Sequence, residues 1–320
     1  MATFERNNRD YGTGLVEIAE GVHAWMQAGG GWGWSNAGLA TGEGESLLVD
    51  TLFDLSLTAT MLAAMGPATE RAPIRTLVNT HANGDHCYGN ELVTGAEIIA
   101  SEAARQEMES LPPAMLGALA GGGYGEPLDD YLGRAFGPFR FDDITSTPPT
   151  TTFRHRLDVD AGGRRVDLHE VGPAHTAGDV IAHLPDAGVV FTGDILFVYG
   201  TPIIWDGPVA NWLAACDLID SLDPAVVVPG HGPLTDATGV DMVRRYLAFV
   251  QREATARHQA GLSVREAAFD IDLGEYRDWG DWERIVINVD AVYAELDPGH
   301  ARSNVMELFA AMAELERDRR

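Results

Sequence analysis

The sequence contains no lysine, and all 22 of its basic residues are arginines. Schiff-base chemistry, a Walker-type phosphate loop and Ser-Lys catalysis each require an amine, so this composition excludes all three. Cysteine is almost as scarce. Cys87 and Cys216 are too few for a disulfide framework and too far apart for a CxxC metal site. We expect two reduced, buried thiols.

Basic charge is also in short supply, because 48 acidic residues leave a formal net charge of −26. Nucleic-acid backbones and anionic membrane surfaces would be repelled, so we expect a small-molecule substrate instead. The N-terminal sequence lacks the apolar segment of a signal peptide, and no run of about 18 apolar residues occurs. We therefore expect a cytoplasmic protein. The sequence carries no signal for an oligomeric state.

Short strand-like runs joined by glycine turns fill the first part of the chain. Gly42 and Gly44 mark a hairpin turn before the apolar run 47–49, and helical spacing predicts a helix over 55–65 that Pro67 ends. Further strand-like runs follow, in the sequences RTLVNT, RRVDLHEV, DVIAHLP, GVVFTGD and AVVVPGHG. Strands alternating with helices predict a layered α/β fold.

Two regions depart from this pattern. Residues 101–150 are rich in glycine and proline after a first helical stretch, which is typical either of a mobile flap over a site or of a plain surface excursion. Residues 241–320 are helical, and Ser263 with Glu266 predicts a capping box. We therefore divide the chain into a catalytic domain, 1–240, that contains the 101–150 insertion, and a helical extension, 241–320, packed on it.

Six residues of metal-ligand type lie where apolar strand-like runs end. They are His81, Asp85 and His86 in THANGDH, His175 in GPAHTAGD, Asp194 in FTGD and His231 in VPGHGP. Strand ends from two halves of a layered fold can converge at one edge. Imidazole mixed with carboxylate suits zinc, iron or manganese. The sequence therefore predicts a metal centre.

The remaining histidines carry no such pattern. We interpret them as ordinary surface or core residues, since an isolated histidine is more often structural than functional. These are His23, His155, His169, His183, His258 and His300.

The four blocks THANGDH, GPAHTAGD, FTGD and VPGHGP resemble, in their order along the chain, the motifs of the metallo-β-lactamase fold superfamily of metal-dependent hydrolases. The resemblance covers approximately residues 15–235. The first motif of that superfamily is His-x-His-x-Asp-His. The hairpin that ends at Asp50 is similar to the superfamily's first hairpin. The resemblance implies a four-layer αβ/βα sandwich with the site along one edge of its two sheets, here followed by the helical extension.

The same resemblance implies the ligand positions. His81 and His175 would belong to a first metal position, and Asp85, His86 and His231 to a second. Asp194 would bridge the two.

The chain departs from the motif at Asn83, which stands where the superfamily has a second histidine ligand for the first metal. An amide oxygen binds zinc weakly. Three outcomes follow: one metal in the second position, two metals with Asn83, water or substrate completing the first, or an Asn83 that donates a hydrogen bond to a substrate oxyanion. A fourth reading is that Asn83 only bonds nearby loop amides. We favour one tightly and one weakly bound zinc, with iron or manganese as alternatives.

The activity implied is hydrolysis, in which metal-bound hydroxide cleaves an ester, thioester, lactone or amide and Asp85 orients the water or accepts its proton. An iron-dependent redox enzyme on the same fold is one alternative. A non-catalytic binding module with a decayed metal site is another.

Aromatic residues near the motifs favour a neutral or hydrophobic substrate. Trp32 and Trp34 alternate on a short hairpin, and with Tyr199 they are candidates for an aromatic wall beside the metal. Tyr124 and Trp205 are further candidates. The alternative is that the two tryptophans only pack a sheet edge.

Overall fold

The computed structural model describes residues 5–297 and 299–319. Residues 1–4, 298 and 320, which fall inside the predicted ranges 1–240 and 241–320, lie outside the described residues. Two β-sheets pack face to face, and helices cover their outer faces. This is the four-layer α/β sandwich predicted from the sequence.

The first sheet has seven strands in chain order. The three strand pairs from β1 to β4 are antiparallel, and the three pairs from β4 to β7 are parallel. The strands are β1 Gly14–Ala19, β2 Val22–Met26, β3 Ala37–Thr41, β4 Ser46–Val49, β5 Ile74–Val78, β6 Glu97–Ser101 and β7 Thr151–Phe153.

The second sheet has five strands in the order β12-β11-β10-β9-β8. Its strands are β8 Arg156–Ala161, β9 Arg164–Glu170, β10 Val180–Leu184, β11 Val189–Phe191 and β12 Val226–Val228. The pair β11 and β12 is parallel, and the pairs from β8 to β11 are antiparallel. The predicted strand runs are confirmed, whereas β6, β7 and β8 were not predicted.

The helices are α1 Leu55–Thr69, α2 Gly84–Cys87, α3 Glu102–Ser110, α4 Pro113–Ala120, α5 Leu128–Phe136, α6 Val209–Ser221, α7 Ala237–Gln259, α8 Val264–Asp270, α9 Ile285–Leu296 and α10 Val305–Arg319. Ser263 and Glu266 form the predicted capping box at the start of α8. Within the part of the chain that the structure describes, no helix is long and apolar enough to span a bilayer.

The predicted end of α1 at Pro67 is wrong, because the helix continues to Thr69. Pro67 lies in the last turn, where its missing N–H removes only one backbone hydrogen bond. The helical pattern then resumes, since the backbone N–H of Glu70 donates to the carbonyl of Gly66 at 2.9 Å.

Apolar side chains explain why each layer stays in place. The interior between the sheets is filled by residues such as Val22, Leu47, Val166 and Leu168, all fully buried. Met61 of α1 packs on the outer face of the first sheet. A third cluster covers the outer face of the second sheet, and it includes Trp212 of α6, Leu247 of α7, Val289 of α9 and Met312 of α10.

The segment 101–150 is helical in part and anchored at its end. After α5, Phe139 and Phe141 are buried against Phe53, with ring centroids 4.7 and 4.9 Å away. The stretch that follows α5 is therefore packed into the core near the β2–β3 loop, where Trp34 contacts Phe139. The division of the chain at residue 240 remains a prediction, although the C-terminal helices share one apolar cluster with α6.

Candidate metal centre

The six predicted ligand residues converge at one edge of the sandwich. His81 follows β5, and Asp85 and His86 lie in the short helix α2. His175 lies in the loop between β9 and β10. Asp194 follows β11, and His231 follows β12. All six side chains are buried. The carboxyl ends of parallel strands meet at one edge, which is why such distant motifs come together.

Asp194 lies between two groups of ligand atoms. Its Oδ2 is 3.7 Å from Nε2 of His81 and 3.3 Å from Nε2 of His175. Its Oδ1 is 3.0 Å from Nε2 of His86, and its Oδ2 is also 3.4 Å from Nε2 of His231. The two carboxylate oxygens therefore face both predicted positions, as expected of a bridging ligand.

Asp85 completes the second group. Its Oδ2 is 3.3 Å from Nε2 of His231 and 3.9 Å from Nε2 of His86. The group His81, His175 and Asp194 and the group Asp85, His86 and His231 each hold ligand atoms within 4.8 Å of one another. These distances are short enough for each group to share one ion.

Orphaned polar atoms show that the residues fit a metal. Nε2 of His81, Nε2 of His86 and Oδ1 of Asp194 are buried and make no well-aligned hydrogen bond among the described residues, although Nε2 of His86 and Oδ1 of Asp194 lie 3.0 Å apart. Leaving a buried polar group unsatisfied costs about 1–3 kcal/mol. Imidazole nitrogens and carboxylate oxygens that face one another can bind a divalent cation, and this binding would remove the cost.

Asp50 holds ligands of both positions in the required tautomer. His86 Nδ1 donates to Oδ2 of Asp50 at 2.9 Å, and the hydroxyl of Thr80 donates to the same oxygen at 2.7 Å. The Thr80 hydroxyl then accepts from Nδ1 of His81 at 3.0 Å. With both protons on Nδ1, each Nε2 presents its lone pair to the centre.

The backbone at Asp50 also marks a special position. Its φ is +63°, a left-handed conformation that is uncommon outside glycine. Its side chain is buried and also accepts from the backbone N–H of Thr80 at 2.7 Å. From the sequence, Asp50 was expected only to end the first hairpin, with no role in the site. Its place at the end of β4, next to the ligand-bearing strand β5, was the available signal.

The other two imidazoles are fixed by different contacts. His175 Nδ1 donates to the carbonyl of Ile203 at 2.7 Å, so its Nε2 is the free ligand atom. The ring of His231 stacks on Phe197, with centroids 5.0 Å apart. The indole N–H of Trp212 donates to the carbonyl of Ile195 at 2.8 Å, which holds the turn that carries Asp194.

Charge at the centre is polarised between the two positions. Burial lowers the pKa of His175 to about 4, and burial also lowers that of His81 well below its usual value. At His231, burial lowers the pKa, but the carboxylates of Asp194 and Asp85 outweigh this effect and raise it to about 9. The first position is therefore neutral in its imidazoles, whereas the second attracts positive charge.

Asn83 points at the first position. Its Oδ1 lies 3.1 Å from Nε2 of His175, and its side chain does not cap the helix α2 that follows it. Since Nδ1 of His175 carries the ring proton, Nε2 and Oδ1 are two acceptors facing each other. Such a pair either shares a cation or requires the amide to be turned so that its NH₂ group donates.

The β2–β3 loop borders the centre directly. The hydroxyl of Ser35 donates to the carbonyl of Asp85 at 2.5 Å, and the Asn36 amide donates to the carbonyl of Gly232 at 2.9 Å. A Cβ on Gly30, whose φ is +58°, would lie 2.8 Å from the backbone nitrogen of Gly232. Glycine is needed there because the loop passes so close to the His231 loop.

The predicted wall residues are placed as follows. Trp32 packs on Phe136 and Phe309, both at 5.7 Å between centroids, and its indole N–H donates to the Tyr131 hydroxyl at 3.0 Å.

Trp34 packs on Phe139 at 4.9 Å, and Trp205 packs on Trp32 at 6.5 Å. The guanidinium of Arg9 stacks over the ring of Tyr199 at 4.1 Å. Tyr124 is 47% exposed on the loop before α5. Trp32, Trp34 and Trp205 therefore belong to one aromatic region that includes residues of the 101–150 segment and of α10.

Comparison with solved structures supports the fold. A metallo-beta-lactamase from Pontibacter korlensis aligns with a TM-score of 0.53 at 19% identity, covering 73% of this chain and 98% of that one. A stereoselective inverting sec-alkylsulfatase from a Pseudomonas species aligns with a TM-score of 0.63 at 18% identity, covering 88% of this chain and 50% of that one. At these identities the likeness concerns the fold alone.

Comparison of sequences identifies the family. A protein of Brucella ovis named hydroxyacylglutathione hydrolase is 29% identical over 188 residues, which are 56% of this chain and 56% of that protein. The chain thus spans about half the length of the curated relatives that it matches. The sequence profile of the metallo-beta-lactamase superfamily matches residues 30–231, a range that contains all six ligand residues. The chain therefore belongs to the metallo-beta-lactamase superfamily.

Proposed function

We propose that the protein is a metal-dependent hydrolase that cleaves an ester, thioester, lactone or amide bond in a neutral or hydrophobic small molecule. The observation that carries this proposal is the convergence of four imidazoles and two carboxylates in one buried cluster, with ligand atoms 3.0–3.9 Å apart. A cation would satisfy the buried polar atoms of His81, His86 and Asp194 that make no hydrogen bond in the described part of the chain.

Zinc is the metal that we propose, since the donors are nitrogen and oxygen atoms in sets of three. Iron and manganese are the alternatives that the same donors allow. Asp85, His86 and His231, with Asp194, would hold the tight ion. His81 and His175, with Asp194, would hold the weak one. When bound, such a metal activates water and polarises a substrate carbonyl.

Within this proposal Asp85 is the catalytic residue. The carboxylates around His86 and His231 compete for positive charge, and although burial raises the pKa of Asp85, these two imidazoles bring it below its usual value. An ionised carboxylate only accepts hydrogen bonds, so Asp85 can orient a water molecule and accept its proton. The Ser35 hydroxyl fixes the backbone of this residue.

Asn83 would act at the other end of the centre, either as a weak oxygen ligand or as a donor to the substrate oxyanion. Its side chain already contacts His175. Either role uses the same orientation of the side chain and differs only in which amide atom faces the centre.

The substrate would enter beside the β2–β3 loop, with Trp32, Trp34 and Tyr199 forming an apolar wall. The close contacts of this loop with Asp85 and with the His231 loop support that position. Thioesters are the first class to test, because the name of the relatives, hydroxyacylglutathione hydrolase, describes hydrolysis of a thioester. The formal charge of −26 supports a small-molecule substrate over nucleic acid, and we propose that the protein works in the cytoplasm.

The test compares metal-free protein with protein reloaded with zinc, manganese or iron. Hydrolysis is measured with a hydroxyacyl-glutathione thioester, a neutral aryl ester, a lactone and an anilide. We expect turnover only after reloading, and a loss of more than about 100-fold in kcat/KM for His231→Gln. The exposed His155 provides the matched control, and His155→Gln should retain full activity. Equal rates with and without metal, or no turnover of any of the four substrates, would refute the proposal.

A further inference from the structure

Three ligand-type side chains also meet on the outer face of the second sheet, away from the strand ends that form the metal centre. Asp167 and His169 lie on β9, and His183 lies on β10. Each offers a ligand atom within 4.8 Å of the atoms offered by the other two. From the sequence, both histidines were expected to be ordinary surface or core residues.

The strand register explains why they meet. Asp167 and His169 are two residues apart and therefore point to the same face, opposite to the interior-facing Val166 and Leu168. His183 is the direct cross-strand partner of Asp167 in the antiparallel pair. Side chains at such positions are close neighbours.

The imidazoles are available as ligands. His183 is only 9% exposed, and its Nδ1 has no hydrogen-bond partner in the described part of the chain. Nε2 of His169 is likewise buried without a partner there.

Two arginines compete for Asp167. Nε of Arg165 lies 2.5 Å from Oδ1 of Asp167, and a terminal nitrogen of Arg156 lies 3.2 Å from Oδ2. Asp158, the cross-strand partner of Asp167 on β8, contacts both guanidinium groups at 3.1 Å. Both arginines are at least half exposed. Asp158 can therefore keep its ion pairs with both arginines when an oxygen of Asp167 binds a metal ion instead of a guanidinium group.

We propose that Asp167, His169 and His183 form a second metal site, which binds a transition-metal ion such as zinc, cobalt, nickel or copper. Two imidazoles and one carboxylate suit these ions and not magnesium or calcium, which prefer oxygen ligands alone. Water would fill the remaining coordination positions. The ion would link β9 to β10, the two strands whose connecting loop carries His175.

The experiment uses tag-free, metal-stripped protein and measures bound cobalt or zinc by equilibrium dialysis with elemental analysis. The wild type should bind one equivalent more than His169→Gln or His183→Gln. The matched control, His155→Gln, should bind as the wild type does. The variant His231→Gln should lose metal from the main centre while retaining the equivalent that depends on His169.

Equal metal content in the wild type, His169→Gln and His183→Gln would overturn the proposal. His169 is only partly buried, so its variant provides the test if His183→Gln fails to fold. The variant Asp158→Asn provides a second test in the same binding experiment. It removes the alternative partner of both arginines, and we expect at least tenfold weaker binding at this site. An unchanged affinity would contradict the role assigned to Asp158.

Discussion

Replacing Asn83 with histidine adds an imidazole to the metal position that His81, His175 and Asp194 form. The asparagine precedes α2 with a φ of −64° and a ψ of 141°, an extended conformation that histidine adopts equally well. Its side chain makes no capping bond that the substitution would remove. The change therefore alters the ligand set without disturbing the backbone.

The magnitude follows from the contact with His175. Two ligands at about 2.0–2.1 Å from a tetrahedral zinc ion lie roughly 3.3 Å apart. Oδ1 of Asn83 is 3.1 Å from Nε2 of His175, so a ligand atom from position 83 is already near a coordination edge. Exchanging a weak amide ligand for imidazole should tighten the first position at least tenfold, which is about 1.4 kcal/mol.

The assay is a zinc titration of metal-stripped protein against a chromophoric chelator, with elemental analysis of the product. The wild type should bind one zinc tightly and a second weakly, and Asn83→His should approach two tight ions. Asn83→Ala is the control. If the amide is a ligand, this variant should bind the weak ion, in the first position, less tightly than the wild type does. Identical titrations for all three proteins would refute the assignment of Asn83 to the first position.

Two further predictions concern buried carboxyl groups. Asp50→Asn should weaken zinc binding about 10–100-fold in the same titration, because an amide has one accepting oxygen only, and its NH₂ group would face either the backbone N–H of Thr80 or the donors of His86 and the Thr80 hydroxyl; unchanged affinity would contradict this. Burial raises the pKa of Glu283 to about 7 from about 4.5, so its protonated form stabilises the fold and that contribution disappears as the pH rises. Between about pH 5.5 and about pH 8 the wild type should lose roughly 2 kcal/mol of unfolding free energy relative to Glu283→Gln, as measured by urea denaturation, and parallel pH profiles would exclude the effect.

The convergence of the six predicted ligand residues could be foreseen because each lies at the end of an apolar run. An apolar strand with a histidine or an aspartate at its end is a local pattern, and the order of the motifs then indicates the fold. His175 and His231 lie 56 positions apart, yet the structure brings both within 3.4 Å of one carboxylate oxygen of Asp194. The sequence predicted that these residues converge, but not which oxygen each would face.

Other features depend on contacts that no local pattern reports. The role of Asp50 depends on a neighbouring strand, since its partners Thr80 and His86 come 30 and 36 positions later. The outer-face cluster required the register between β9 and β10, which places His183 opposite Asp167. The strand β8 was missed because its exposed face is charged, although its alternation of polar and apolar residues was visible in RLDVDA.

The ligand set of one predicted metal position can change while the ligand set of the other is kept. Asp85 and His86 belong to the single turn of α2, whereas Asn83 lies just before that turn and its side chain contacts His175 of the first position. A substitution at residue 83 therefore leaves the second ligand set intact. Asp194 is the exception, because its two oxygens face both positions. Loss of an ion from the first position would free Oδ2 of Asp194, which lies 3.4 Å from Nε2 of His231, to serve as a ligand for an ion shared with His231, and so favour occupancy of the second position.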